Sequence, residues 1–401
     1  MIQRKNYLNK LIANKDHKII KVITGVRRCG KSTLFNLYID YLKSIGVQSH
    51  QIISINLEDM DNEALLDYKN LYSYVKERLC KDQTTYIFID EVQNCNNFEK
   101  AVDSLFIKPN TDVYITGSNA YMLSGELATL LSGRYITIDM LPLSFREYFE
   151  ANQDLAQSKQ VLFNDYIKVG SFPYLANKGK NPNVVNPYIE GIYNTILIKD
   201  IAKRENITDV SLLESIIKVL VSSIGSPISI KKISDTLNSA GRKISVNTVA
   251  LYMSALTDSY LFYKVDRYDI KGRQFLKTLG KYYLVDMGIR NLLLSGSSSD
   301  LGHVIENIVY LELLRRDNRV NIGKLAENEV DFVAVTAYET VYFQVATSVI
   351  DDKTLHREMS PLQKIADNHR KVLLSLDEVG VPANYEGIRH LNLIDWLLLD
   401  D

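Results

Sequence analysis

The chain has 401 residues, of which 46 % are hydrophobic and 24 % charged, and its formal net charge is −1. This length exceeds the size at which one hydrophobic core stops growing, so two to four domains are expected. The near-zero net charge excludes a global field that would draw the protein to a polyanion or a membrane, so any nucleic-acid surface must be local.

The three cysteines, Cys29, Cys80 and Cys95, have neither disulfide nor metal-ligand spacing, which suits a reducing compartment. The N-terminus is too polar for a signal peptide, and no run approaches the roughly 18 apolar residues of a membrane span. We therefore expect a cytoplasmic protein that does not enter a membrane.

A glycine-rich loop follows the first apolar run, Ile-Ile-Lys-Val-Ile-Thr at 19–24, and precedes an amphipathic segment that begins at Leu34. Strand, loop and helix thus stand in the order that a phosphate-binding loop requires, and the loop matches G-x-x-x-x-G-K-[ST] at every fixed position. Lys31 would reach the outer phosphates, and Ser32 would bind Mg²⁺. The sequence therefore predicts a nucleoside triphosphate site whose cofactor-binding residues include Gly25, Arg28, Cys29, Gly30, Lys31, Ser32 and Thr33.

A second apolar strand, 85–89, ends in two carboxylates, Asp90 and Glu91. Asp90 would hold Mg²⁺, often through water, because a hard cation prefers oxygen ligands. Glu91 would polarise the attacking water as a general base. The competing interpretation is that these residues are an ordinary buried strand end without a role in chemistry. The distance of the Asp90–Glu91 pair from a complete phosphate loop along the chain favours the catalytic interpretation.

Two further polar residues are candidates for the same site. Asn119 follows the apolar strand 112–116 and could contact the γ-phosphate or the water, although an ordinary turn is the alternative. Arg134 follows a predicted helix over 123–131 and could act as an arginine finger on its own or a neighbour's γ-phosphate. A surface arginine that caps this helix is the competing interpretation.

The phosphate loop, Ile89-Asp90-Glu91-Val-Gln93, Ser132-Gly133-Arg134-Tyr135 and Leu141-Pro-Leu-Ser-Phe-Arg-Glu147-Tyr148 together resemble one family. It is a prokaryotic group of AAA-type ATPases whose C-terminal half is a domain of unknown function. The resemblance implies an α/β fold with a P-loop core at 1–140 and a helical lid at 141–207. A winged-helix domain at 208–298 and a restriction-endonuclease-like α/β domain at 299–401 would follow. It also implies an ATP hydrolase that uses ATP and Mg²⁺, forms homo-oligomers and acts on an unidentified client protein.

A change of pattern after residue 211 supports the winged helix. Three helical segments, 212–224, 230–237 and 246–256, precede two strand-like pieces at 261–265 and 281–285, an arrangement found in DNA-binding domains. Residues 226–281 carry ten Lys or Arg against four Asp, a local net charge of +6 that favours a phosphate-facing patch. The helix at 247–256 has no basic residue, so a protein dock or a rigid spacer is the alternative. The candidate DNA contacts are Arg242, Lys243, Asn247, Thr248, Tyr252, Lys271 and Arg273.

The last hundred residues are predicted to form helix, strand, strand, helix and strand. Glu306 on the first helix and Asp331 and Gln344 on the two strands match the metal-site order of restriction-endonuclease-like folds, and their oxygens would gather one Mg²⁺. That pattern continues with a lysine where this chain has Ala346, unless Lys353 or Lys364 reaches in. We therefore expect a vestigial metal site on a scaffold without nuclease activity.

The sequence leads to one main functional hypothesis and two alternatives. In the main one, the protein hydrolyses ATP and couples its nucleotide state to the C-terminal module, which could act on DNA. In the first alternative, a DNA-binding regulator uses ATP as a conformational ligand with little turnover. A Mg²⁺-dependent nuclease is the second alternative.

Overall fold

The computed structural model describes residues 2–119, 131, 133–155, 157–176, 181–294, 300–378 and 383–399. The helix predicted over 123–131 lies almost wholly outside these residues. Contacts divide the chain into two compact units, Met1–Pro142 with Asp258–Tyr260 and Leu143–Thr257 with Leu261–Asp401. The finer domain boundaries inferred from the sequence stay predictions. In the described part of the chain, no helix is long and apolar enough to cross a membrane.

The first unit is built on a parallel five-stranded sheet in the order β2-β3-β4-β1-β5. Every residue of β1, β3 and β4 is buried, which explains their continuous apolar runs, since helices cover both faces of such sheets. Its elements are α1 (Lys5–Ala13), β1 (Ile20–Thr24), α2 (Lys31–Ser44), β2 (Ile52–Asn56), α3 (Tyr68–Lys76), β3 (Thr85–Asp90), α4 (Phe98–Phe106), β4 (Thr111–Gly117) and β5 (Tyr135–Asp139).

The parallel order determines which loops meet. The carboxyl ends of β1, β3 and β4 lie side by side, so the loop after Thr24, the carboxylates after Ile89 and the turn after Gly117 share one edge of the sheet. Arg134 directly precedes β5, and its carbonyl accepts a hydrogen bond from the N–H of Ile20 at the start of β1. Arg134 therefore lies at the opposite, amino-terminal edge.

A buried ion pair stands inside this sheet. The ammonium group of Lys21 on β1 contacts the carboxylate of Asp112 on the neighbouring β4, and both side chains are almost fully buried. Burial lowers the pKa of Lys21, although the charge of Asp112 opposes this effect. Tyr114 donates a hydrogen bond of 2.7 Å to the other oxygen of Asp112. Lys21, the charged residue in the apolar run of β1, thus has an ion-pair partner inside the core.

The second unit begins with helices and ends with a sheet. The helices predicted in the middle of the chain are present, with ends shifted by a few residues. The helix Pro182–Thr195 continues in π-helical geometry at Ile196–Ala202. The helices are α5 (Phe145–Ala151), α6 (Lys159–Val169), α7 (Pro173–Ala176), α8 (Pro182–Thr195), α9 (Val210–Ser222), α10 (Ile230–Ser239) and α11 (Val246–Asp258).

The sheet of the second unit has eight strands in the order β12-β13-β11-β10-β9-β8-β6-β7. Its elements are β6 (Phe262–Asp269), β7 (Gln274–Leu284), α12 (Met287–Leu293), α13 (Leu301–Arg315), β8 (Arg319–Leu325), β9 (Asn328–Val335), β10 (Thr340–Val345), α14 (Asp352–Gln363), β11 (Arg370–Ser375), β12 (Asn384–Tyr385), β13 (Ile388–Asn392) and α15 (Leu393–Leu398).

Two features of this sheet differ from the sequence-based expectation. The predicted order of helix, strand, strand, helix and strand is wrong because it omits β8, β12, β13 and α15. The residues of β8 are partly polar and only half buried at its ends, so pairing with β6 and β9 rather than local pattern defines this strand. Through that pairing, the β6–β7 hairpin that follows the three helices is continuous with the C-terminal sheet.

Candidate functional site

The loop between β1 and α2 has the geometry that its glycines predict. Gly30, directly before α2, has φ of +108°, and Gly25 has φ of +141°. A Cβ atom at Gly25 would lie 2.1 Å from the carbonyl oxygen of Met140, so no side chain fits there. The Cys29 side chain is fully buried, while its carbonyl accepts a hydrogen bond of 2.8 Å from Arg4. Exposed Arg28 adopts φ of +66°.

Lys31, the first residue of α2, turns its side chain back over this loop. Its ammonium group donates to the carbonyl of Gly25 at 3.0 Å and lies 3.5 Å from Oε1 of Glu91. The group is buried, so its charge acts with little screening by water. The lysine predicted to reach the phosphates and the glutamate predicted to act as base therefore share one buried cluster.

Asp90 lies at the end of β3 beside the start of α2. The hydroxyl group of Ser32 donates to its carboxylate, and so does that of Thr116 on β4. Burial raises the pKa of Asp90, and these hydrogen bonds oppose the rise without cancelling it. The two predicted oxygen ligands of Mg²⁺, Ser32 and Asp90, are thus in contact, which fits a hard cation bound there. Thr33, the next residue of α2, is half-buried.

Glu91 is held by partners from two directions. Its backbone has φ of +52°, and its N–H donates to the hydroxyl of Thr116 at 2.9 Å. Its Oε2 accepts hydrogen bonds from the amide of Gln93 and, at 3.2 Å, from the hydroxyl of Ser118. Burial acts to raise the pKa of Glu91, but the charge of Lys31 and these hydrogen bonds outweigh it and leave the pKa below its ordinary value. Glu91 is therefore ionised at neutral pH, as a general base must be.

The other two candidates occupy different places. Asn119 is buried just beyond the end of β4, at the edge that carries the phosphate loop. Arg134 is exposed at the opposite edge, with its guanidinium 3.2 Å from Oδ1 of Asp103. Three residues in contact with the carboxylates were not anticipated: Gln93, Thr116 and Ser118. Their signal in the sequence is weak, because a polar residue near a strand end is also an ordinary turn residue.

A second buried cluster lies in the C-terminal unit and brings together Glu306, Asp331 and Gln344. The backbone N–H of Asp331 donates to Oε1 of Gln344 at 3.4 Å. The ammonium group of Lys281 on β7 lies 2.9 Å from Oε1 of Glu306 and 4.0 Å from Oδ1 of Asp331. It also contacts Oε1 of Glu329 at 2.8 Å. The sequence therefore predicted the cluster but not its lysine.

The predicted metal site fails a test of fit. Every predicted ligand side chain already has a partner, and within the described ranges no three Asp, Glu, His or Cys side chains are arranged to hold a metal ion. Lys353 is exposed, and the ammonium of Lys364 lies 3.4 Å from Oδ1 of Asn328, so neither replaces the lysine missing at Ala346. Burial raises the pKa of Asp331 to about 8, and the charge of Glu306 adds to this rise. The residues present do not fit Mg²⁺.

The candidate DNA contacts mostly lie on the surface of the second unit. The side chains of Arg242, Lys243, Asn247, Lys271 and Arg273 are exposed, and that of Thr248 is half-buried. The prediction for Tyr252 is wrong, because its ring is 6 % exposed and packs inside the core. The basic patch is also smaller than the sequence suggested, since Lys281, one of the ten basic residues counted, is buried in the cluster described above.

Comparisons with known proteins bear on the fold and the family of the chain. The profile of an AAA domain matches residues 17–149, and that of a domain of unknown function matches residues 160–300. A Walker-type ATPase of Pyrococcus abyssi has a similar fold, with a TM-score of 0.52 and 13 % identity over 73 % of this chain and 96 % of its own. The fold of the chain thus includes that of a P-loop ATPase.

Two relatives match the chain almost end to end. An uncharacterised protein of Haemophilus influenzae is 39 % identical over 99 % of both chains. An uncharacterised protein of Methanocaldococcus jannaschii is 28 % identical over 96 % of this chain and 86 % of its own. The chain belongs to the prokaryotic AAA-type ATPases that carry an additional C-terminal domain of unknown function.

The close approach at Gly25 leads to the first prediction. Gly25→Ala should lower ATP affinity at least tenfold, because the added Cβ must displace the backbone of Met140 and with it the phosphate loop. Isothermal titration with ATP and Mg²⁺ measures this change.

Gly46→Ala is the matched control for this substitution. Gly46 also has positive φ, but a Cβ there meets no atom within 4 Å, so the cost is backbone strain of about 1–2 kcal/mol without loss of affinity. Equal ATP affinity of Gly25→Ala and wild type would contradict the steric argument.

Proposed function

We propose that the protein binds MgATP at the β1–α2 loop and hydrolyses it with Glu91 as the general base. The observation that carries this proposal is the buried contact among the loop, Lys31 and Glu91. The Nζ atom of Lys31 lies 3.5 Å from Oε1 of Glu91. A lysine and an ionised carboxylate so close to a helix N-terminus combine anion binding with proton abstraction.

Each residue then has a defined task in the reaction. The N–H groups of the loop and the start of α2 bind the phosphates, and Lys31 exchanges its carbonyl partners for phosphate oxygens. Ser32 and Asp90 would hold Mg²⁺, which would neutralise charge on the phosphates. Glu91 accepts the proton of the attacking water, while Asn119 contacts the γ-phosphate or that water. Gly30, Thr33 and the backbone of Arg28 and Cys29 complete the cradle.

Substitution of the base separates binding from turnover. Glu91→Gln removes the proton acceptor but keeps the shape of the side chain, so turnover should fall about 10²- to 10⁴-fold while ATP remains bound. Chromatographic analysis of the nucleotide that copurifies with the protein after incubation with MgATP measures the outcome. Lys31→Ala is the reference for loss of ATP binding. A turnover rate of Glu91→Gln equal to that of the wild-type protein would contradict the role of Glu91 as the base.

Arg134 supports a site completed by a second copy of the chain. It lies at the amino-terminal edge of the sheet, opposite the loop, and its exposed side chain pairs with the surface residue Asp103. An arginine finger supplied in trans would leave Asp103 for the γ-phosphate of the neighbouring copy. This role requires a homo-oligomer, which the proposal includes.

Mixing inactive variants tests this role. Arg134→Ala should lower turnover about 10³-fold, the effect of losing an arginine finger, without weakening ATP binding. A mixture of Arg134→Ala and Glu91→Gln should regain part of the turnover, because some sites then combine an intact base with a finger from the other variant. Absence of any recovery would contradict action in trans. Arg78→Ala is the control, since Arg78 is similarly exposed, at 47 % against 48 %.

For the second unit we extend the proposal to DNA as a partner that responds to the nucleotide state. Support comes from the exposed basic side chains around α10, α11 and the β6–β7 turn, including Arg242, Lys243 and Lys271. A regulator that binds DNA and uses ATP with little turnover is the alternative.

The nuclease alternative has no support, because the cluster around Asp331 does not fit a metal ion. An unidentified client protein stays compatible with the exposed apolar residues Val246 and Leu251 on α11.

The salt dependence of binding tests the DNA contact. The double substitution Lys271→Ala and Arg273→Ala should weaken binding to duplex DNA regardless of sequence and lower the slope of log affinity against log salt by about 1.8. Fluorescence anisotropy at several salt concentrations measures both quantities. Lys353→Ala, which removes an exposed lysine from α14, should change neither, and equal slopes for the double variant and wild type would contradict the contact.

A further inference from the structure

The Lys281 cluster places three acidic side chains around one ammonium group in the second unit. The carboxylates of Glu306 and Asp331 are buried, that of Glu329 is one-third exposed, and the ammonium of Lys281 contacts all three. A carboxylate loses its hydration on burial and remains ionised only beside a cation or strong hydrogen-bond donors. Lys281 is the cation that this cluster contains.

The oxygen atoms around Lys281 are used by groups of the chain itself. Oε1 of Glu306 also accepts a hydrogen bond of 2.6 Å from the hydroxyl of Tyr283, and Oε2 lies 3.4 Å from Nδ1 of His303. Oδ2 of Asp331 accepts a hydrogen bond of 2.8 Å from the N–H of Val345. A divalent cation would have to displace the ammonium group and several of these donors to reach the carboxylates.

Both the oxygen and the nitrogen of the Gln344 amide also have hydrogen-bond partners within the chain. Its Oε1 accepts the N–H of Asp331, and its Nε2 donates to Oε2 of Glu358 at 2.9 Å. Two residues further on, Ala346 is buried in an apolar cluster with Val349 and Leu373. Apolar side chains therefore pack around Ala346, where the nuclease pattern has a lysine. The ammonium group that contacts the acidic residues belongs instead to Lys281 on β7.

The position of Lys281 on β7 explains how this charge reaches the interior. Lys281 and Tyr283 are two residues apart in a strand, so both side chains point to the same face and both contact Glu306. The opposed cross-strand partner of Lys281 is Val265 on β6. One strand of the hairpin thus supplies two adjacent donors to the carboxylates of α13 and β9.

From these contacts we infer that Lys281 is an internal cation that binds Glu306, Glu329 and Asp331 in place of a divalent metal ion. The ammonium group joins the β6–β7 hairpin to α13 and β9 by charge, and the cluster is a structural site that binds no metal and performs no phosphodiester cleavage. This inference concerns the second unit and does not depend on ATP hydrolysis at the first.

Metal binding by the full, nucleotide-free chain tests the inference. Electron paramagnetic resonance should detect the same number of bound Mn²⁺ ions in wild type and in Asp331→Asn, because the cluster of the wild-type protein binds none. Lys281→Met keeps the length of the side chain without its charge, and it should bind one Mn²⁺ per chain through the released carboxylates. Loss of that ion in the double variant Lys281→Met, Asp331→Asn would assign it to the cluster.

Two results of this experiment would overturn the inference. One is a Mn²⁺ ion in wild type that Asp331→Asn abolishes. The other is failure of folded Lys281→Met to bind Mn²⁺, since the ammonium would then not stand in for a metal. If Lys281→Met does not fold, the comparison of wild type with Asp331→Asn still decides between an internal cation and a metal site.

Thermal unfolding provides a second readout that packing alone would not produce. Lys281→Met should lower the melting temperature by about 10 °C, because it leaves buried carboxylates without their cation. Adding Glu306→Gln removes one of those charges and should restore at least half of the loss. No restoration would overturn the charge-neutralising role. Lys264→Met is the matched control on β6, since Lys264 is 49 % exposed and pairs with Asp266, and it should shift melting by less than about 2 °C.

Discussion

The parallel pairing of β4 with both β1 and β3 is the constraint on which the candidate nucleotide site depends. It brings the ends of three strands together, and each strand delivers one part of the site: the phosphate loop, the Asp90–Glu91 pair and Thr116 with the turn that follows. The hydroxyl of Thr116 shows this dependence directly, because it contacts the carboxylate of one acidic residue and the backbone N–H of the next. A shift in strand register would separate these groups.

Two buried ammonium groups in this protein have opposite consequences. Lys31 bonds to backbone carbonyls of a loop and lies at 3.5 Å from its carboxylate partner, so an incoming phosphate can replace weak contacts with stronger ones. Lys281 contacts two carboxylates at 2.8 and 2.9 Å, so a ligand would have to break strong interactions before forming its own. The first arrangement suits a binding site, and the second suits a fixed structural connection.

Local sequence was sufficient to locate the candidate site of the first unit, because each of its parts is a short contiguous motif beside a strong apolar strand. The loop, the carboxylates and the turn after β4 could all be located from the sequence, and the resemblance to AAA-type ATPases implied the α/β fold that holds them. Gln93 and Ser118 could not, because their contact with Glu91 depends on tertiary geometry. Lys21 is a further case, since its partner Asp112 lies 91 residues away.

The C-terminal half shows where such reasoning fails. Glu306, Asp331 and Gln344 were predicted because they match the metal-site order of restriction-endonuclease-like folds. The lysine that contacts this cluster belongs to a strand that the sequence assigned to a different domain. Lys281 is buried against residues of α13 and β9, and the pairing of β6 with β8 defines a strand that no local pattern indicated. Counting Lys281 as a DNA-facing charge was wrong for this reason, because net charge from sequence does not distinguish buried from exposed groups.

The central claim is that this chain hydrolyses ATP at a site completed by a second copy. The most direct measurement is the rate of phosphate release per chain from MgATP as a function of protein concentration. The account predicts steady turnover whose rate per chain rises with concentration and then levels off as copies associate. No turnover at any concentration, or a rate per chain independent of concentration down to dissociated protein, would contradict it.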